Sequence, residues 1–301
     1  MAEIQTISNA LQKIEDADYH RLHYCSKHAL DVIHDQSPMH LDYQRKNPKP
    51  PTDAMKFGTA LHTFILEPEQ FAQRHVIIGQ CEAVKKDKTR CMNVGKKQSA
   101  GGQWLCGVHE ADDSSEIQSA ITEDQHLKIR AMHESILRCD AAREILNAPG
   151  QNELVGIFDR MIQGDGWSHE VKCKMKIDGI RESWEAVFDI KTCESAAPGE
   201  FTKSIGNFGY HRQGAFYIDA LERLGVKVKH FIIIAVKKEP PFGTAVYRLT
   251  SDSIELGRDQ NERLMVTYAA CERTGHWHGY EATFNDISVP DYIIRKERRV
   301  I

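Results

Sequence analysis

Long apolar runs are missing from this 301-residue chain. No stretch approaches the roughly 18 consecutive apolar residues that a membrane-spanning helix needs. The most apolar segment, Phe231 to Val236, has the length of one buried strand. The amino-terminal MAEIQTISNALQKIED carries neither a basic block nor an apolar block of the kind that directs secretion, so a cytoplasmic location is expected. In that reducing compartment the eight cysteines are expected to be thiols or metal ligands rather than disulfides. An excess of either charge is missing too. A net charge of −4 argues against a general coat for nucleic acid, but not against an enzyme with carboxylates at its centre and cations around its groove.

The charge that is present lies unevenly. Residues 80–109 hold Lys85, Lys86, Lys88, Arg90, Lys96 and Lys97 against Glu82 and Asp87. An acidic stretch, Glu110 to Glu123, follows, and Arg295-Lys296-Glu297-Arg298-Arg299 closes the chain. With 41% hydrophobic and 27% charged residues, the chain as a whole has the composition of an ordinary globular protein.

Periodicity divides the chain. Ser26 can cap a helix over 26–36, Ser37-Pro38 opens another to about 46, and Asn47-Pro48-Lys49-Pro50-Pro51 ends it. A helix over 58–66 stops near Pro68. The stretch 79–110 is Gly-, Lys- and Cys-rich without apolar periodicity and reads as an insertion, with 111–121 as a polar linker. Thr122-Glu123-Asp124-Gln125 fits a capping box, and Leu127, Met132, Ile136 and Ile145 predict one long helix to about 147. The period then changes to two. Strands are expected over 154–162, over 167–177 with its lysines on a half-exposed face, and over 184–191. A helix over 209–224, strands over 229–236 and 245–250, and a helix over 253–273 complete the pattern. This order predicts an α/β (α+β) fold, a mixed central sheet flanked by helices.

One arrangement carries chemistry. Lys176-Ile177-Asp178 is followed, ten residues on, by Asp189-Ile190-Lys191. Strand side chains alternate, so Asp189 and Lys191 share a face, and a hairpin would bring Asp178 beside them. Two carboxylates so placed can hold Mg²⁺ (or Mn²⁺), and an adjacent ammonium can orient water and offset charge growing on a phosphate. The same spacing suits a surface ion pair. Apolar neighbours Ala186, Val187, Phe188 and Ile190 favour a site, because an acid in a buried strand is costly unless a cation compensates it.

Further motifs fall in order around it. Gly58-Thr59-Ala60-Leu61-His62 with Leu66-Glu67-Pro68-Glu69-Gln70-Phe71 resembles the GTAxH…LEPExF signature of the RecE-like exonucleases, and Gln213 with Tyr217 resembles their downstream Q-x₃-Y. So does the stretch from Ser26 to Asn47, with Ser37-Pro38 and the Tyr43–Asn47 pair. The resemblance covers about residues 19–78 and 122–294. It implies a PD-(D/E)xK nuclease core over 1–78 and 111–301, interrupted by the insert at 79–110. By resemblance, His62, Asp178, Asp189 and the Ile190 carbonyl would bind the active-site metal, and Lys191 would position the attacking water. Gln213 and Tyr217 would contact DNA or brace Lys191. Glu153 resembles a further acid of lambda-type exonucleases, and Glu170 is a weaker candidate. The motif here is Lys-Ile-Asp where the superfamily often has Pro-Asp.

The insert has its own pattern, Cys81-x₉-Cys91-x₁₄-Cys106-x₂-His109. Four N/S ligands suit tetrahedral Zn²⁺, and a Cys-x₂-His pair can reach one ion from a short turn. The spacing resembles short Cys₃His zinc modules; the plain alternative is four unrelated residues in a lysine-rich loop. Cys25, Cys139, Cys173, Cys193 and Cys271 fit no ligand spacing.

Taken together, the resemblance implies an exonuclease that degrades linear duplex DNA from its ends, 5′→3′, leaving 3′ single strands for recombination. A single-strand annealing protein or recombinase would be its partner, and a homo-oligomeric ring its assembly. Two other readings share the residues. One is an endonuclease, or an end-trimming nuclease of the CRISPR type, which would carry an iron–sulfur cluster on four cysteines. The other is a non-catalytic DNA-binding adaptor, which the intact Asp178, Asp189 and Lys191 oppose.

Overall fold

A computed structural model of the chain describes residues 10–79, 83, 91, 93, 95, 97–98, 103–106, 120–281, 283–284, 286–291 and 294–295. A two-residue strand, β1 (Leu11–Gln12), precedes five helices: α1 (Asp16–Arg21), α2 (Lys27–Asp35), α3 (Pro38–Lys46), α4 (Asp53–Leu66) and α5 (Pro68–Arg74). Short strands β2 (Val76–Ile78), β3 (Lys97–Gln98), β4 (Trp104–Leu105) and β5 (Ala120–Thr122) come next, then α6 (Glu123–Arg138) and α7 (Asp140–Asn147). The long strands β6 (Gly150–Gly164), β7 (Trp167–Arg181) and β8 (Ala186–Cys193) lead to α8 (Pro198–Asn207) and α9 (Tyr210–Arg223). Strands β9 (His230–Lys237) and β10 (Thr244–Arg248) and helix α10 (Ser251–Thr274) complete the order.

Six strands form one mixed sheet in the order β1-β6-β7-β8-β9-β10. Its one parallel pair is β8 with β9, and the crossover between them carries α8 and α9. Asp165-Gly166 is the two-residue turn of the β6–β7 hairpin, with Gly166 at φ +71°, a left-handed backbone that glycine adopts without steric cost. Along β8 and β9 the side chains sort to two cores. Val187, Phe231, Ile233 and Ala235 pack with residues of α2, α9 and α10, while Phe188, Ile190, Ile232 and Ile234 pack with residues of α4, α6 and α7. Covering on both faces is why these two strands read as continuous apolar runs. Among the described residues, no helix is long and apolar enough to cross a membrane.

Several boundaries differ from the sequence expectation. The capping box at Thr122 forms, but the helix it starts ends at Arg138, and Cys139, with ψ 109°, turns the chain into α7. Arg143 makes the break tolerable by donating to the Leu137 carbonyl at 3.0 Å, an acceptor stranded at the end of α6. Helix α4 begins at Asp53, capped by the Thr52 side chain, earlier than the expected residue 58. Helix α8 was not anticipated, since only Phe201 and Ile205 mark its apolar face. Strand β8 starts at Ala186, after a 3₁₀ turn and a left-handed Glu185. Parallel pairing sets β2 beside β5, Val76 opposite Ala120, so the strand that leads into residues 79–119 lies alongside the strand that follows them.

The lysine face of β7 is less exposed than alternation implies. Lys174 is buried, donating through Nζ to the Tyr19 carbonyl at 2.6 Å, with Nζ 4.1 Å from the Tyr19 ring centroid. Burial lowers its pKa to about 8. Below that pH the ammonium is charged in folded and unfolded chains alike, and the fold bears the full desolvation cost. Between about 8 and the ordinary lysine value the unfolded chain binds the extra proton, so this group's contribution to stability rises with pH. Lys174→Met is therefore expected to be more stable than wild type by about 1–2 kcal/mol at pH 7.5, after discounting for the Tyr19 contacts it loses. Urea midpoints measured from pH 7.5 to 10 should show that advantage shrinking; an advantage constant with pH would refute the account.

Candidate functional site

The register of the β6–β7 hairpin sets the first two acids opposite one another. Asn152 pairs with Gly179 and Leu154 with Ile177, so Glu153 faces Asp178 across the ladder. Glu153 itself sits at φ 53°, a left-handed backbone inside a strand. For a residue other than glycine this costs on the order of 1–3 kcal/mol and persists only where surrounding contacts enforce it. Lys176 is one such contact, its Nζ 2.8 Å from Glu153 Oε2 and 2.5 Å from Asp16 Oδ1 of α1.

Strands β7 and β8 pair only through Gly179–Phe188, Ile180–Val187 and Arg181–Ala186. Beyond these pairs, the Asp178 carboxylate enters: Oδ2 accepts the Ile190 amide at 2.6 Å. Helix α4 brings His62 over the same point. Its Nε2 lies 3.1 Å from the Ile190 carbonyl, and its Nδ1 is 3.4 Å from Asp178 Oδ1 and 4.0 Å from Glu153 Oε1. With Nε2–H donating to that carbonyl, Nδ1 is aimed at the two acids, the orientation a ligating imidazole requires. One ligand atom each from His62, Glu153 and Asp178 fall within 4.8 Å of one another.

On the opposite face of β8, toward α9, Asp189 is 3% exposed. Gln213 Nε2 donates to its Oδ1 at 2.6 Å. Lys191 Nζ stands 2.7 Å from its Oδ2 as an ion pair. Two carboxylates and an imidazole within ligand reach of one another are a donor set that fits a divalent cation such as Mg²⁺ or Mn²⁺, with Asp189 as a third carboxylate nearby.

Mutual repulsion and burial separate the acids. Burial, then Asp178, raises the Asp189 carboxyl. Burial acts on Asp178 in the same direction, but the adjacent His62 ring, Lys191 and the Ile190 amide hold it below the usual range. Glu153 is raised by burial and by Asp178, despite Lys176. Burial would lower His62, but Asp178 and Glu153 bring it up to about 9. Lys191 likewise ends above its ordinary value through Asp189 and Asp178, despite burial, so it is a cation and not a base.

His62, Asp178 and Glu153 thus come together, and Asp189 and Lys191 share one side of β8, as alternation requires. The Ile190 carbonyl is already an acceptor for the His62 ring. Gln213 and Tyr217 differ from expectation: Gln213 binds Asp189 and reaches the Tyr217 hydroxyl at 3.2 Å, and neither braces Lys191. At 8% exposure Tyr217 does not offer itself to DNA. Glu170 is exposed, opposite Met161 and outside the cluster. Two participants were missed, Lys176 and Tyr210, whose ring centroid lies 5.2 Å from Lys191 Nζ. Period-two alternation could have found Lys176, two residues before Asp178 on the same face. Of the cysteines in the proposed zinc pattern, Cys91 Sγ and Cys106 Sγ are 3.9 Å apart and buried, with Asn93 Nδ2 3.6 Å from the latter. Cys81 and His109 lie outside the described residues.

If these side chains hold the ion, His62→Ala and Glu153→Gln should each weaken Mn²⁺ binding by at least about tenfold. Glu170→Gln, on β7 but away from the cluster, should leave it unchanged. Calorimetric titration with Mn²⁺ decides; equal affinity in wild type and His62→Ala would remove the imidazole from the site.

The chain's sequence matches, over residues 17–283, the family described as a PDDEXK-like domain of unknown function (DUF3799). No curated protein matches it. Among solved structures, it is similar to the "Putative exonuclease" from Eubacterium rectale, with 13% identity and a TM-score of 0.49 over 93% of this chain and 98% of that one. A smaller part is similar to SSO0001, with 18% identity and a TM-score of 0.26 over 42% of this chain and 55% of that one. Since the family match takes in the whole candidate site and every strand of the six-stranded sheet except β1, the chain belongs to the PDDEXK-like family.

Proposed function

We propose that this protein is a metal-dependent deoxyribonuclease, an exonuclease that degrades linear duplex DNA from its ends. The observation that carries this reading is the gathering of His62, Glu153 and Asp178 at the parting of β7 and β8, with Asp189 and Lys191 on the adjoining strand. Resemblance to the RecE-like exonucleases adds the finer proposal of 5′→3′ polarity, a 3′ single-stranded product for recombination, a single-strand annealing protein or recombinase as partner, and a ring of identical subunits.

His62, Glu153, Asp178 and Asp189 are the residues that would hold the metal. A divalent ion bound there would polarise a phosphate oxygen and lower the pKa of a bound water. The protein's own part is electrostatic and positional. Lys191, kept protonated by Asp189 and Asp178, can orient the incoming water and offset charge developing on the phosphate. Gln213 fixes the Asp189 carboxylate, and the Ile190 carbonyl fixes the His62 ring. Lys176 holds Glu153, which keeps the acids from repelling one another apart.

The insert is proposed to bind one structural Zn²⁺ through Cys81, Cys91, Cys106 and His109. A tetrahedral site with Zn–S of about 2.3 Å has sulfurs about 3.8 Å apart, and the 3.9 Å between Cys91 and Cys106 supports the reading. The adjacency of β2 and β5 supports its being an insertion into the nuclease domain.

Linear and circular duplex DNA incubated with the protein and Mg²⁺ separate the alternatives. Loss of linear DNA alone is expected; cutting of circles means an endonuclease, and no cutting an adaptor. Lys191→Ala should bind DNA but turn over roughly 10³-fold more slowly, and unchanged turnover would defeat the assignment. Metal analysis should find about one zinc per chain, lost in Cys106→Ser. Zinc-free wild-type protein would end that part of the proposal, and a brown iron-containing protein would favour the end-trimming reading.

A further inference from the structure

The proposed catalytic amine opens onto a cleft that the chemistry above leaves unused. Lys191 shares its lining with Lys27, Gln44, Asn207, Phe208 and Tyr210, in a cavity of about 400 Å³ between α2 and the α8–α9 junction. An aromatic path runs outward through it. Lys191 Nζ is 5.2 Å from the Tyr210 ring centroid, and the Tyr210 and Phe208 centroids are 5.8 Å apart with planes at 32°. Tyr210 is buried, whereas Phe208 is 59% exposed.

A single exposed phenylalanine is unremarkable on a protein surface. What distinguishes this one is how firmly its backbone is held while its ring is left in water. The Phe208 amide donates to the Ser204 carbonyl at 3.0 Å, and its own carbonyl accepts Lys27 Nζ at 3.0 Å. The next residue, Gly209, takes φ +61°, and a Cβ there would come within 2.4 Å of the Arg212 guanidinium, so the turn that presents the ring requires glycine. Arg212 is fixed in turn by Asp31, at 2.9 Å. Asp31 is paired with Lys27 and Arg212, and Asp35 lies 3.8 Å from the same guanidinium, which tempers the negative charge the cleft presents to a polyanion.

We infer that Phe208 is a stacking platform for an unpaired nucleobase beside the scissile phosphate, so that the strand reaching Lys191 does so single-stranded. This rests on the nuclease reading of the site and adds a substrate class to it. A rigid aromatic ring offers a face to any base regardless of sequence, which suits an enzyme that must accept every sequence it meets. Duplex DNA would have to open its terminal pair to reach the platform, whereas a strand with a short unpaired end would not.

The test uses an oligodeoxynucleotide with 2-aminopurine near its end, as single strand and as the overhang of a duplex, with Ca²⁺ in place of Mg²⁺ to hold off cleavage. Wild type should quench the fluorophore on binding. Phe208→Ala should lose the quenching and bind the unpaired end roughly five- to a hundredfold more weakly, while Phe208→Trp restores both. With Mg²⁺, Phe208→Ala should raise KM on overhang substrates far more than it lowers kcat. Wild-type quenching that survives in Phe208→Ala, or wild type that binds blunt duplex better than an unpaired end, overturns the inference. The nuclease reading fails separately, if wild type quenches and binds but does not cut.

Discussion

Three carboxylates, Glu153, Asp178 and Asp189, are crowded where a sheet meets its covering helices, and the surrounding structure answers their repulsion and desolvation. Each acid has its own cation or donors. His62 stands against Asp178, Lys176 against Glu153, and Lys191 with Gln213 against Asp189. Burying such charges without partners would cost several kcal/mol apiece. Even so, Glu153 holds a strained backbone, a cost that the contacts around the acids sustain.

The same electrostatic demand explains the shape of the sheet. Main-chain pairing of β7 with β8 ends at Gly179–Phe188, and the Asp178 side chain takes the Ile190 amide that continued pairing would have used. The carboxylate is thereby part of the ladder's termination and cannot drift. Because the Ile190 carbonyl accepts from His62, one residue of β8 orients both an acid from β7 and an imidazole from α4. Its neighbours on either side, Asp189 and Lys191, project to the opposite face toward α9, where Gln213 waits. Strand alternation thus distributes one site over two layers of the protein.

What could be read from the sequence was what obeys a period or a local rule. The D-x₁₀-D-x-K spacing, the capping box at Thr122 and the two-sided apolar character of 231–236 all rest on residues within about a dozen positions of each other. His62 and Gln213 were legible only through motif order, because nothing local says that α4 and α9 approach the same strand. The break at Cys139 was not legible: the apolar spacing continues through it, and the Arg143–Leu137 contact that stabilises it depends on the bend already being there. The burial of Lys174 depends on α1, a helix too short for periodicity to announce.

That short helix ties the amino-terminal segment to the chemistry. Asp16 binds the ammonium that holds Glu153, and Tyr19 covers the next lysine along the strand. Lys176 is pushed well above the ordinary lysine range; burial opposes this, but Glu153 and Asp16 together outweigh it. The ammonium is therefore a fixed positive charge at any pH the protein would meet. Two such fixed cations, Lys176 and Lys191, flank the three acids from opposite faces of the sheet. Neither can serve as a base, so in the proposed reaction their part is to set the field in which water is activated, and the acids between them are left free to share a metal ion.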